Sequence, residues 1–454
     1  MGWVLKENQV TKPDTSGFYF LNATQFLGAF NDNILKQVIT FGLATGIWQG
    51  MLGSGGQAWA SLCLAIPFVL FSGFTGQFSD KYSKRRISVI AKWSEIPIAL
   101  IAMLGLWLTN IWIVMLSLVL IAIQSTLFSP AKFGILPEIV PAKELSRANG
   151  TINMFTYLAI ILGCALGGPL YAHYAGDAGG PRVLWLPGVV VLVVGILGTL
   201  ASHKISVVPA QNPNLKIRFH FFRDYFETWR NLKGDRGAAL KSALLGYSLF
   251  YIVIGGVAVL ILPDYKEILN ISYGWTSVLL AILGISTGIG DYMAGRISHQ
   301  GIRPELISFG SVATTIAFLM LGLIPLGFYS NPAAFYVVAV LLAAGGFTAG
   351  FVLVPLQTMV QLFSDEDVRG QVLGLWICLS FVGVIIGNLI FLLVRNLDTV
   401  TAGWLPAMPR ERVFLVCAAL TIYLQILHVF RWKRRFAKAL AEVESSSSEG
   451  LEEV

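Results

Sequence analysis

The sequence predicts an all-α membrane protein of twelve transmembrane helices in two pseudo-symmetric six-helix bundles. Three observations carry that prediction. Of 454 residues, 55% are hydrophobic and only 13% charged, where soluble domains carry about 25% charged residues; mean hydropathy is +0.70. Apolar runs of about 20 residues, the length a helix needs to cross a bilayer, recur along the chain. The connections between them alternate in charge, one set holding 25 of the 32 Lys and Arg residues. Because basic residues concentrate on the cytoplasmic side, both termini are expected to be cytoplasmic, which requires an even number of spans.

Taken in order, the spans are expected at about 18–46, 57–79, 87–109, 111–128, 149–175, 182–201, 240–262, 272–297, 304–327, 332–360, 370–394 and 411–432. Residues 1–201 then form an N-terminal bundle and 240–432 a C-terminal one. The basic connections include 80–86, 129–147 and the long linker 202–239. Within that linker Phe219, Phe222, Phe226 and Trp229 share one helical face, which predicts an amphipathic helix lying flat at the membrane surface. A cytoplasmic tail at 433–454, Ser- and Glu-rich over Glu442–Val454, reads as disordered. Residues 1–17 are polar and lack the apolar core of a secretory signal. Cys63, Cys164, Cys378 and Cys417 lie in apolar runs without CxxC spacing, so neither a disulfide framework nor a metal site is expected. The net charge of +7 is accounted for by membrane topology and calls for no nucleic-acid partner.

The first span is the unusual one. It carries Asn22, Gln25, Asp32, Asn33, Lys36 and Thr40, and at roughly 100° per residue these fall inside a sector of about 100°. An ionised group at mid-membrane costs roughly 2.5–3.5 kcal/mol unless it faces partners or water. The stripe is therefore either a polar packing seam or the wall of a polar cavity, and Asp32 and Lys36, one turn apart, can partly neutralise each other. Lys92 and Glu95, spaced i,i+3, present the same choice between pairing and lining. Gln124, Gln357 and Gln361 read as inter-helix hydrogen bonds or as ligand contacts, Asn153 and Asn388 as packing, and Tyr247 and Tyr251 as core or cavity wall.

The two halves repeat weakly. Gly76-Gln-Phe-Ser-Asp80-Lys-Tyr-Ser-Lys-Arg85-Arg follows the second span, and Gly288-Ile-Gly-Asp291-Tyr-Met-Ala-Gly-Arg296 stands near the same point of the second half. Glu144 and Arg147 precede the fifth span as Glu366 and Arg369 precede the eleventh. Landmarks in matching order argue for parallel repeats. The Gly76–Arg86 loop resembles the signature loop of the major facilitator superfamily. A carboxylate at a helix end can bond the N-terminus of a neighbouring helix and pair with Arg. The resemblance implies that Gly76, Asp80, Arg85, Asp291, Arg296 and the pairs Glu144/Arg147 and Glu366/Arg369 latch one face shut during rocker-switch alternating access.

A finer resemblance covers most of the chain. Gln25-Phe-Leu-Gly-Ala-Phe-Asn-Asp32-Asn33-Ile-Leu-Lys36, Phe128-Ser-Pro-Ala-Lys132-Phe-Gly-Ile-Leu-Pro-Glu138 and Gly350-Phe-Val-Leu-Val-Pro-Leu-Gln357 are similar to segments of the bacterial lysophospholipid transporter family. That resemblance implies movement of lysophospholipid from the outer to the inner leaflet of the bacterial inner membrane, where an acyltransferase restores the second chain. It makes Asp32 the family's functional carboxylate; the other stripe residues Asn22, Gln25, Asn33 and Lys36, and the in-span Lys92, Glu95 and Gln357, are candidates for substrate or ion contact from their own placement. A monomer without cofactor is expected.

Enzyme classes find little support in the residues. None of the five histidines has an Asp five positions later, as a glycerolipid acyltransferase requires, and no GxxxxGK[ST] loop for ATP occurs. Two alternatives stay open. One is a transporter of another small amphiphile, drug or metabolite; the other is a non-transporting membrane partner that recruits an acyltransferase.

Overall fold

The computed structural model describes residues 14–44, 47–52, 56–176, 181–298, 301–396 and 409–439, and among these no strand occurs. Helix α1 (Thr15–Ala44) opens on Asp14, whose carboxylate accepts the Gly17 N–H at 3.0 Å and the Ser206 hydroxyl at 2.6 Å. Those bonds, the Gly17 amide first, hold the Asp14 carboxyl below the usual carboxylate range. Helices α2 (Gly56–Lys81), α3 (Lys84–Trp107), α4 (Ile111–Ile139), α5 (Leu145–Ala175) and α6 (Leu186–Ser202) complete the first bundle. Asn110 caps α4 by accepting from the Trp112 and Ile113 amides, and Gly176 ends α5 in the left-handed region at φ 87°.

The second bundle holds α8 (Gly234–Tyr251), α9 (Tyr273–Ile297), α10 (Glu305–Leu323), α11 (Ala334–Phe363), α12 (Arg369–Arg395) and α13 (Val413–Leu427); α7 (Arg223–Asn231) lies between the bundles. Helix α8 passes through a π turn at Ile252–Val257, where Gly256 meets Gly387 of α12, and its course continues to Ile268. Ten helical segments among the described residues are long and apolar enough to cross a membrane. With α1, which is 30 residues long but striped with polar groups, and the 17-residue apolar α6, the twelve expected spans are present.

Burial runs opposite to that of a water-soluble protein. Trp93, Leu100, Leu104, Trp107, Trp112 and Leu116 stand on the outer surface, while Asp80, Lys84, Lys92, Glu95, Asn149 and Gln361 are buried. That is the pattern of a chain whose outer solvent is hydrocarbon. Glycines set the helix contacts within it. A side chain on Gly163 or Gly167 of α5 would strike α1, and one on Gly28 of α1 would strike the Lys92 ammonium.

Three expectations are corrected here. The fourth span does not stop at 128. Residues 129–139 continue it as helix despite Pro130 and Pro137, so Lys132 belongs to a span and leaves the basic connections. Neighbouring helices in a membrane protein tolerate such prolines. The linker helix begins only at Arg223, so Phe219 and Phe222 are not on it. Its anchor is Tyr225, whose hydroxyl takes the Gly73 N–H at 2.9 Å and donates to the Val69 carbonyl at 2.8 Å. Phe219 and Phe221 pack edge-on against Phe74 and Phe71 of α2, while Phe226 stays exposed. Lastly, residues 433–439 are helical, with Phe436 buried against Phe363; the rest of the expected tail, 440–454, lies outside the described residues.

Candidate functional site

The stripe on α1 divides its partners by depth. Near the helix start, Asn22 is buried and donates to the carbonyl of Phe18 on its own helix. Gln25 reaches across to the Thr156 hydroxyl of α5 at 3.1 Å. At mid-span Asp32 accepts the Ser125 hydroxyl of α4 at 2.8 Å through Oδ2, and its Oδ1 has no hydrogen-bond partner. Asn33 donates to the Ala29 carbonyl, and its carbonyl oxygen faces the Cys164 thiol of α5. Lys36 is half-buried and, among the described residues, its ammonium makes neither a hydrogen bond nor an ion pair. Asp32 and Lys36 do not neutralise each other, since the carboxylate turns to α4. The charges that act on Asp32 are those of Glu95, Lys92 and Lys132.

Lys92 and Glu95 answer the choice left open by their spacing. They form an ion pair of 2.6 Å, 2% and 1% exposed, and Asn31 donates to Glu95 at 2.6 Å. Glycines 28, 195 and 198 make room for the pair among α1, α3 and α6. The pair is satisfied inside the first bundle without a substrate. Asn31 sits on the side of α1 opposite Asn22, so the stripe gave no sign of it. Lys132 rests its ammonium 4.2 Å from the centre of the Phe133 ring and also lies near Phe128, an arrangement that suits a cation. The expectation of a short fourth span had kept it out of the candidate set.

Between the bundles, one face is sealed. It is the face carrying the 203–233 linker, and two seams close it. In the first, α2 meets α12, and side chains on Gly76, Gly370 or Gly374 would collide with backbone across the seam. Asp80 accepts the Gly370 N–H at 2.5 Å, the Gln371 N–H at 3.0 Å and the Gln371 amide at 3.2 Å, and so caps the start of α12. Buried Lys84 pairs with Glu138 at 2.5 Å beneath it, and Arg369 is close enough to both carboxylates to feel their charge. In the second seam α5 meets α9, with Gly150 against the Asp291 backbone and Gly295 against Ser146 and Arg147.

Between these seams runs a polar ladder. Asn149 donates to Gln361 at 2.5 Å and to Thr358 at 3.0 Å, Gln357 donates to Asn149 at 3.0 Å, and Asn153 donates to Gln357 at 2.9 Å. Gln361 closes it by donating to the Phe133 carbonyl of α4 at 2.9 Å. Gln357 is wholly buried with both ends of its amide used, and in this arrangement it joins the bundles. Phe68 stacks on Phe381 at 4.2 Å farther along the first seam, and Ile161 meets Gly284 along the second, near the middle of their helices.

The remaining latch candidates behave differently from one another. Arg85 donates to the His203 carbonyl at 2.7 Å and braces the linker rather than the seam. Glu144/Arg147 and Glu366/Arg369 are separate pairs, each at 3.9 Å. Arg296 lies over the Tyr292 ring. Asp291 is not at a helix end. It stands a turn and a half before Ile297, and neither of its oxygens reaches the start of α5. By contact, Asp291 takes the place of Gly76 and Gly295 the place of Asp80. Pairing the two aspartates by order along the chain was therefore one helical turn out of register.

A family model described as the Major Facilitator Superfamily matches residues 18–388. Among curated relatives, the lysophospholipid transporter LplT of Yersinia enterocolitica is 25% identical over 349 residues, covering 76% of this chain and 78% of that protein. LplT of Klebsiella pneumoniae is 27% identical over 370 residues, covering 79% and 83%. Among solved structures, the human organic anion transporter MFSD10 is similar at a TM-score of 0.74 and 15% identity, covering 92% of this chain and all of that one. The transporter FucP in its outward conformation gives 0.65 at 12% identity, covering 90% and 98%.

Proposed function

The chain belongs to the Major Facilitator Superfamily, and from that premise we propose that it carries lysophospholipid from the outer to the inner leaflet of a bacterial inner membrane by alternating access. The linker face is then cytoplasmic, as its basic residues favour, and an acyltransferase on that side re-acylates the delivered lipid. The observation that carries this reading is the pair of unspent charges at mid-span. Asp32 keeps one oxygen unbonded and Lys36 keeps its ammonium unpaired, one turn apart on the same stripe. Leaving both uncompensated in hydrocarbon is costly, and a zwitterionic or anionic headgroup supplies the missing partners. The acyl chain needs only apolar wall or lipid. With the linker face sealed, the headgroup would enter from the opposite side, the side from which an outer-leaflet substrate arrives.

The test is flipping of fluorescent lysophosphatidylethanolamine and lysophosphatidylglycerol by the full chain in vesicles, at matched insertion. Asp32→Asn is expected to lower flipping at least about tenfold, the effect of losing roughly 1.4 kcal/mol or more of a charged contact. Lys36→Ala is expected to slow the anionic lipid more than the zwitterionic one. Full activity in a variant with both residues changed to Leu would return the stripe to a packing role, because a buried pair that serves only structure is often replaceable by apolar residues.

A further inference from the structure

The Lys92–Glu95 pair touches no substrate group, yet it sits where charge is costly. A buried ion pair adds little stability over apolar side chains of the same volume, and the best-attested use of such a group is to fix the register of the helices that carry it. The two oxygens of Glu95 are divided. Oε2 takes the Lys92 ammonium of its own helix α3, and Oε1 takes the Asn31 amide of α1, each at 2.6 Å. Lys92 is held in turn from two more helices: its ammonium lies near the Phe128 ring of α4, and its carbonyl accepts the Thr199 hydroxyl of α6. Asn31 is fully buried and its own carbonyl oxygen has no hydrogen-bond partner, so the bond to Glu95 is the one that directs it.

Asn31 precedes Asp32, and about 100° of helical turn separates their side chains. The other polar side chains of α1 give it little hold on the side away from the stripe. Asn22, Thr24, Asn33 and Thr40 donate to carbonyls of their own helix. Gln25 reaches Thr156 and Asp32 reaches Ser125, and both belong to the stripe itself. Opposite the stripe, among the described residues, Asn31 alone donates a hydrogen bond from α1 to another helix. A helix with its side chains is about 5 Å in radius, so a turn of about 30° carries the Asp32 carboxylate by roughly 2.5 Å. That displacement is enough to lose the Ser125 hydroxyl, and a binding group has to be held within about 0.5 Å and 10–20°. From this geometry we propose that Asn31 is a positioning residue: clamped from behind by Glu95 and Lys92, it fixes the rotation of α1 and so aims Asp32 and Lys36 at the headgroup. The inference rests on the transport reading above and adds to it the part that holds the contacts in place.

Two measurements test it. The first is flipping of lysophosphatidylethanolamine and lysophosphatidylglycerol by the full chain as a function of lipid concentration. Asn31→Leu is expected to raise KM about tenfold for both lipids while the limiting rate at matched insertion stays within about twofold, as when binding contacts are lost. A bond that served structure alone would lower the limiting rate and leave KM unchanged, and that result would overturn the proposal. The second needs no transport. With the four native cysteines changed to alanine, single cysteines from 22 to 40 are scanned with a small charged thiol reagent. In the parent the reactive positions are expected to follow the stripe, centred on Ala29, Asp32 and Lys36; with Asn31→Leu they are expected to shift round the helix or spread over it. Lys92→Met with Glu95→Gln, which keeps an oxygen for Asn31, is expected to hold the parent pattern, and Lys92→Met with Glu95→Leu to lose it. One pattern common to all four proteins would overturn the proposal. Wild type that flips neither lipid would overturn the transport reading instead, and the scan would still decide what sets the rotation of α1.

Discussion

Between α2 and α12 the closing carboxylate has two backbone amides and a side-chain amide to hold; between α5 and α9 the Asp291 carboxylate has only the Asn153 amide beside it and reaches no helix start. The backbones of the two seams are otherwise alike, each pressed together through glycines. One turn of displacement separates a clasp from an isolated acid. Asp80 at the end of its helix reaches the orphan N–H groups that every helix start presents. Asp291, a turn deeper, meets neutral groups of its neighbours instead. A repeated architecture can thus place the same residue type in two chemical situations, and only the first bonds the start of the helix across its seam.

Four substitutions would break or sharpen this contrast. The largest effect is expected from Gly76→Leu, whose side chain strikes the Gly370 carbonyl, and from Gly150→Leu at the matching place. Overpacking costs about 1–3 kcal/mol, more where backbone is struck, so each should cut flipping by about 100-fold in vesicles at normal insertion. Tolerance of one but not the other would end the equivalence of the seams. A smaller effect is expected from Asp80→Asn, which weakens charge-assisted bonds to α12. A loss of about 1.5 kcal/mol should raise the fraction of molecules open on the linker face by roughly tenfold, measured by the distance between labels on Arg86 and Asp367. An unchanged distance distribution would deny the clasp its role. The smallest concerns Asp14, which closes no seam. Its carboxyl is held below the ordinary range, so the support it gives α1 is present above the usual carboxylate value and is lost as pH falls through its lowered one. Amide exchange at Gly17 should rise over that acid window and stay level in Asp14→Ala.

The twelve spans and their order were legible in the sequence because hydrophobic length and loop charge are local properties. Asp80 was legible for the same reason, as a carboxylate beside Lys81 at a predicted helix end. What was not legible depended on register between helices distant in sequence. The Lys92–Glu95 pair read equally as site or scaffold until Gly28, Gly195 and Gly198 were seen to enclose it. Gln357 became a bundle contact only once Asn149 and Asn153 were placed beside it. Lys132 fell in a connection because the fourth span was expected to end at 128, whereas the helix runs on through Pro130 and Pro137. Asn31 lay off the stripe, and nothing in periodicity points to a lone amide facing a buried Glu95.

The linker is attached to both sides of the seam it covers. Asn212 gives its backbone amide to the Asp80 carbonyl and its side chain to that of Asp367, Gln77 exchanges bonds with Arg218 and donates to Asp224, and the Tyr225 hydroxyl seats on Gly73. Opening the face pulls Asp80 away from Asp367, and Asn212 cannot follow both. These bonds are the ones that opening would have to break, so exchange at the linker amides and the rate of proteolysis near Asn212 should both rise with the fraction of molecules open on this face.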